Sequence, residues 1–141
     1  MLKYLIIFLL IMSCSSHNSP EGVLRAFVDK RLNEQITIED LDEYLTGDLL
    51  DDYTKALKED PNKLNESNDF KKTKLSIIYK SCSDDECSIT YALNYDTDAV
   101  ANKTKQDVSI SVKKIALIVK VADKWLISDI SDVKSYYEFK E

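Results

Sequence analysis

Thiols, phenols and carboxylates are the groups with most chemical range in this 141-residue chain, which holds one histidine, His17. Cys82 and Cys87 stand in a C-x4-C spacing, with Asp84, Asp85 and Glu86 between them. A zinc site would need two further ligands, and no histidine follows His17. The C-x-x-C spacing of a redox pair is absent. The acidic run lacks the alternating oxygens of an EF-hand, and a solvated turn is the simpler reading. Tyr79, Tyr91 and Tyr95 fall on the alternating positions of two candidate strands, and Asp129 follows the lone tryptophan, Trp125. Proton transfer between such a tyrosine and a carboxylate is the one catalytic scheme these residues support. Tyrosines on strands are more often packing residues with a wetted hydroxyl. No cofactor or metal is expected.

The first stretch carries an address. Lys3 supplies a positive start, and Leu5 to Met12 is an unbroken apolar run. Eight residues match the core of a secretory signal, whereas a bilayer span takes about 20. Ile11-Met12-Ser13-Cys14 resembles the bacterial lipobox. That resemblance implies a diacylglyceryl group on Cys14, cleavage of residues 1–13 and, often, a palmitate-type chain on the new amine. Ser15 is not aspartate, which by resemblance to Gram-negative sorting points to the outer membrane. Removing Lys3 leaves 18 basic and 25 acidic side chains, a formal charge of −7. That balance argues against nucleic acid, whose phosphates need a basic face. It also offers no polybasic patch for anionic lipid, so membrane contact rests on the anchor.

With Cys14 committed to lipid, Cys82 and Cys87 remain as an even pair in an oxidising compartment. A structural disulfide is expected there, with a metal or redox pair as the alternatives.

These groups must be positioned by regular elements. Residues 14–19 read as a lipidated cysteine and polar tether, and 20–141 as one domain. Ser19-Pro20-Glu21 is a helix start: a cap, a proline at the first helical position and an acid at the positive dipole end. Val23, Leu24, Phe27, Val28 and Leu32 form its apolar stripe, with Arg25, Asp29, Lys30 and Arg31 on other faces. Thr37 and Asp40 have capping-box spacing before Leu41, Tyr44 and Leu45. Gly47 predicts a break, with Thr46 capping a continuation through Leu49, Leu50, Tyr53 and Leu57. Asp60-Pro61 ends it, and 61–72 reads as a polar loop.

From Thr73 the period becomes two. Leu75, Ile77 and Tyr79 alternate with polar residues, as do Cys87, Ile89, Tyr91, Leu93 and Tyr95. The acidic run between them is a hairpin loop, and 96–106 a longer connection. Val108, Ile110 and Val112 alternate, then Ile115, Leu117, Val119 and Val121. The parity flips at Lys113-Lys114, which predicts a bulge or bend in that long strand. Ala122-Asp123-Lys124 turns the chain into a last strand over 125–130. The tail, with Tyr136, Tyr137 and Phe139, has no clear period. If Cys82 faces Cys87, Ile78 faces Tyr91, and the apolar residues of the two strands fall on opposite faces. Either a bulge near Ser81 or partial cover on both faces resolves this, and the second is the expectation. Helices would cover one face, and curvature, a cavity or a second chain the other.

Two or three helices before a four-stranded antiparallel meander is an α+β plan. Ala-Leu-Ile-Val-Lys-Val-Ala-Asp-Lys-Trp-Leu-Ile-Ser-Asp-Ile over 116–130 resembles the closing hairpin of nuclear transport factor 2-like domains (the cystatin-like α+β roll). Residues 19–27 resemble the first helix of small lipoproteins with that fold. The resemblance implies a sheet curled into a cone, with Phe27, Tyr79, Tyr91, Tyr95 and Trp125 as pocket lining. Such folds host isomerases, dehydratases, ligand binders and docking modules, so fold does not settle role. The expected role is a membrane-anchored envelope module for a small apolar ligand or a protein partner. Tyr136, Tyr137 and Phe139, or a homodimer through the sheet face, would suit the second. A small acid–base enzyme is the alternative. Asn65-Glu-Ser67 and Asn102-Lys-Thr104 match the glycosylation pattern, but in a bacterial lipoprotein they are expected to be plain loop residues.

Overall fold

The computed structural model describes residues 19–64, 70–97 and 108–139. Residues 1–18, with Cys14 and the signal pattern, lie outside that set, as do Asn65 to Ser67 and Asn102 to Thr104. Helices α1 (Pro20–Asn33), α2 (Ile38–Tyr44) and α3 (Gly47–Glu59) precede strands β1 (Phe70–Cys82), β2 (Glu86–Thr97), β3 (Val108–Val121) and β4 (Lys124–Phe139). The strands form one antiparallel sheet in the order β1-β2-β3-β4, with β1 and β4 at its two edges. The helices pack on one face of it, and this is the α+β meander plan that the alternating periods predict.

The helix starts form where capping chemistry places them. The Gly22 N–H donates to Ser19 Oγ at 2.9 Å, with Pro20 at the first helical position. The capping box of α2 is complete. The Asp40 N–H donates to Thr37 Oγ1 at 3.3 Å, and the Thr37 N–H to Asp40 Oδ2 at 2.8 Å. Lys30 adds an ion pair to Asp40 at 3.4 Å, tying α1 to α2. Burial alone would raise the Asp40 pKa. The hydrogen bonds from Thr37 and the Lys30 charge outweigh it, so the carboxyl sits below the ordinary aspartate range. A lowered acid stabilises the fold above its ordinary pKa, and that contribution is lost as pH falls through the lowered value. Asp40→Ala is expected to cost about 1 kcal/mol at pH 7. Denaturant titrations should show the gap from wild type closing as the pH drops below about 4. A gap that persists at pH 2 would contradict the capping role.

Thr46 occupies the cap position of α3, but its side chain makes no capping bond. Its backbone N–H instead donates to the Ile127 carbonyl at 2.9 Å, beside a Leu45–Ile127 bridge. The α2–α3 junction is thus pinned to β4. Gly47 follows at φ +65°, where a side chain would be strained although space is open. The stretch after Pro61 is not wholly polar in effect: Leu64 is buried in the core.

The sheet register corrects two expectations. Cys82 does face Cys87, but Ile78 is an extra residue between the pairs Ile77–Tyr91 and Tyr79–Thr90. This bulge shifts the ladder by one. Leu75 and Ile77 then join Leu93 and Tyr91 on the helix side, so cover on both faces is not needed here. The bulge falls at Ile78 rather than near Ser81. At Lys113-Lys114 the β2–β3 ladder runs without interruption from Glu86–Val119 to Asp96–Ser109. No bulge interrupts β3. The extra residues are on β4, at Ser128 and Val133. Ser128 Oγ donates to the Leu117 carbonyl at 3.2 Å. Its bulge brings Ile130 onto the same face as Ile127, not onto the face of Leu126 as alternation alone implies. The tail is strand: Phe139 pairs with Val108. The expected exposure of Tyr136, Tyr137 and Phe139 concerns side chains outside the described set.

The core lies between the helices and this inner face. Val23, Leu24 and Phe27 of α1, Leu41 of α2, and Ile89, Ala116, Ile118 and Ile127 of the sheet are all fully buried. The Phe27 ring sits 5.9 Å from Tyr44 and 6.2 Å from Tyr53 between centroids.

Candidate functional site

Unbroken alternation along β3 puts Ile110, Val112, Lys114, Ala116 and Ile118 on the inner face. One cation therefore stands in an apolar row. The ladder sets Lys114 opposite Tyr91 on β2 and Asp132 on β4. Directly opposed residues hold their Cβ atoms about 4.5–5.5 Å apart, so Tyr91, Lys114 and Asp132 form a polar row across three strands. Lys114 Nζ lies 3.0 Å from Asp132 Oδ1. The lysine is mostly buried, while the carboxylate at the sheet edge is exposed.

Helix α1 closes over this row. Phe27, Val28, Arg31 and Leu32 line a cavity with Tyr91, Leu93 and Lys114. The space left to the centre of a water is about 10 Å³, room for one water or one oxygen of a larger group. The Arg31 guanidinium lies 5.8 Å from the Phe27 centroid and 5.7 Å from that of Tyr53, within cation–π range. Its Nε also donates to the Leu64 carbonyl at 3.5 Å.

Tyr91 is 1% exposed. Burial pushes its phenol well above the usual tyrosine range, with Tyr53, Tyr95 and Asp132 adding to the rise and Arg31 opposing it. It is therefore a proton donor at every ordinary pH and has no use as a general base. Asp129 is exposed and accepts a hydrogen bond from Ser131 Oγ at 3.0 Å. The buried carboxylate that a tyrosine-and-acid enzyme would want is absent from the lining of this cavity among the described residues. The described lining offers donors and cations, which suits it to holding a small anion or a water.

Of the expected lining residues, Phe27 and Tyr91 meet in this cavity. Tyr95 and Trp125 are buried in the core but do not line it. Lys120 Nζ stands 5.7 Å over the Trp125 ring. Tyr79 is a correction: the Ile78 bulge sends it to the outer face, 64% exposed. Arg31 and Lys114 were missed. Strict alternation from Ile110 to Ile118 was the signal for Lys114, masked by the apolar residues at 115, 117, 119 and 121.

Cys82 and Cys87 form a disulfide at the end of the β1–β2 hairpin, as expected. The acidic residues between them serve the turn. The Ser83 N–H donates to the Glu86 carbonyl at 2.7 Å, and the Lys120 N–H to that of Asp85 at 2.8 Å. A second, open groove of about 240 Å³ lies at the helix corner between Ile36, Ile38, Leu57 and Pro61. Among the described residues no three acidic, histidine or cysteine side chains converge as a metal site, and no helix is long and apolar enough to cross a membrane.

No family model, curated protein or solved structure matches the chain, so its kind rests on architecture: an α+β protein with three helices on a four-stranded antiparallel meander and a tyrosine–lysine–aspartate row inside.

Proposed function

We propose that the chain is a lipoprotein of the bacterial envelope, anchored through Cys14, whose domain has the nuclear transport factor 2-like plan and docks a protein partner through the outer face of its sheet. The observation that carries this reading is the apolar character of the face that no helix covers. Tyr79, Thr90 and Ile115 lie side by side across β1, β2 and β3. Tyr79 is 64% exposed, Ile78 beside it 52% and Ile115 37%. Leu117, Val119 and Leu126 extend this surface, half-buried and outside the core cluster. Contiguous apolar surface of this kind marks interaction sites. From Ser109 to Val119 the outward positions carry one charge, Lys113, although the whole chain has a net charge of −6. A face so poor in charge spares a partner the repulsion of the rest. The nearly filled cavity on the inner side supports docking over an enclosed apolar ligand.

The tether fits this geometry. Ser15 to Ser19 reaches about 17 Å at full extension, and α1 begins beside β1, with Glu21 Oε2 3.8 Å from Lys80 Nζ. The hairpin end of the sheet would then face the bilayer, with the outer face reachable from the side.

The test uses the full chain in its host, with a photo-crosslinking residue at Ile115 or, as control, at exposed Asp51 on α3. A discrete adduct from position 115 and none from position 51 is expected, and an adduct of twice the chain mass would identify a second copy. Absence of any adduct from 115 sinks the docking face. In the same cells Cys14→Ala should abolish labelling by palmitate; labelling that survives the substitution sinks the anchor.

A further inference from the structure

We propose that the cavity between α1 and the sheet is a binding seat for the carboxylate of a small organic acid, held by Arg31, Tyr91 and Lys114. This stands independently of the docking face, on the opposite side of the sheet. It begins from an unpaid hydrogen bond. The Tyr91 side chain is 99% buried, and among the described residues none forms a hydrogen bond with its hydroxyl. Buried polar groups nearly always have a partner, and an orphan calls for an occupant. The cavity that Tyr91 lines has room for one oxygen. Two of the other six lining residues, Arg31 and Lys114, are cations, and the rest are apolar.

This composition selects by charge. A phenol donor, a guanidinium and an ammonium around one oxygen-sized space offer donors and no lone pair other than the phenol's. A water there could give one proton to the phenol oxygen but would leave the other facing cations and hydrocarbon. A carboxylate oxygen would accept from the phenol and from whichever N–H groups of the two cations reach it beyond their present partners, in bonds stronger than neutral ones. Asp132, already 3.0 Å from Lys114, is 75% exposed at the sheet edge, so it neutralises the lysine from outside without filling the seat. The acid would place one oxygen inside and its apolar end over Leu32 and Leu93. The size of the seat limits it to a short monocarboxylate entering head first.

The experiment uses the full chain in nanodiscs of zwitterionic lipid, with methyl-labelled leucine and valine read by NMR. Sodium acetate replaces sodium chloride at constant ionic strength. Saturable shifts at Val28, Leu32 and Leu93 are expected. Acetamide, the neutral isostere, should give none. Tyr91→Phe keeps the ring and is expected to weaken acetate about tenfold. Lys114→Met removes the charge while keeping an apolar stem and should weaken it comparably; it serves if the first variant does not fold. Acetate shifts that do not saturate, acetamide shifts equal to those of acetate, or unchanged affinity in a folded variant would overturn the proposal and leave the seat to water.

Discussion

Phe27→Ala should remove a large share of the stability of the domain, about 3–5 kcal/mol by denaturant unfolding. A small domain has about 5–15 kcal/mol in total, so the variant is expected to be partly unfolded at 37 °C. The size of the effect follows from position. Phe27 is fully buried, and its ring joins two helices through Tyr44 and Tyr53. It also forms one wall of the α1–sheet cavity and lies under the Arg31 guanidinium. Truncation would merge a phenyl-sized void with that cavity, and backbone elements on both sides cannot collapse into it. Phe27→Leu, which retains most of the volume, should cost roughly 1–1.5 kcal/mol. Equal, small effects from both variants would mean that α1 does not pack on the sheet by this stripe.

Loss of the Cys82–Cys87 bond is expected to cost about 2 kcal/mol, the loop-closure term for so short a ring. For a domain of this size that corresponds to a fall in Tm on the order of 10 °C. The double variant Cys82→Ala/Cys87→Ala is the suitable comparison with wild type. A single change at Cys82 would leave the Cys87 thiol, which is fully buried, and mix two effects. The hairpin should survive the loss locally, because the Ser83–Glu86 and Lys120–Asp85 backbone bonds remain. A thermal melt of the double variant that superimposes on wild type would show that the bond contributes nothing to the folded state.

The helical half of the domain could be read with little help from the fold. Ser19-Pro20, the Thr37–Asp40 box and Asp60-Pro61 act through bonds within three or four residues, so local chemistry decides them. Thr46 is the instructive exception: its position was legible, but its backbone bond goes to Ile127, a partner on β4. In the strands, period two showed where sheet would form and could not show which side is covered. The residues at 115, 117, 119 and 121 are as apolar as those at 110, 112, 116 and 118. Reading both groups as one face called for a bulge or bend in β3 at Lys113-Lys114, whereas the ladder with β2 is unbroken there and the extra residue, Val133, is on β4.

By itself the sequence determined the element order, the caps, the turn at Ala122-Asp123 and a cysteine pair close enough to bond. All of these depend on neighbours along the chain. Only the tertiary structure decided the bulges at Ile78, Ser128 and Val133, the exposure of Tyr79, and the row in which Tyr91 and Lys114 meet under Arg31. Each bulge reverses the side on which every later residue points. The choice among registers depends on the total apolar surface that all four strands bury against α1. That sum spans the whole chain, and no window of the sequence contains it.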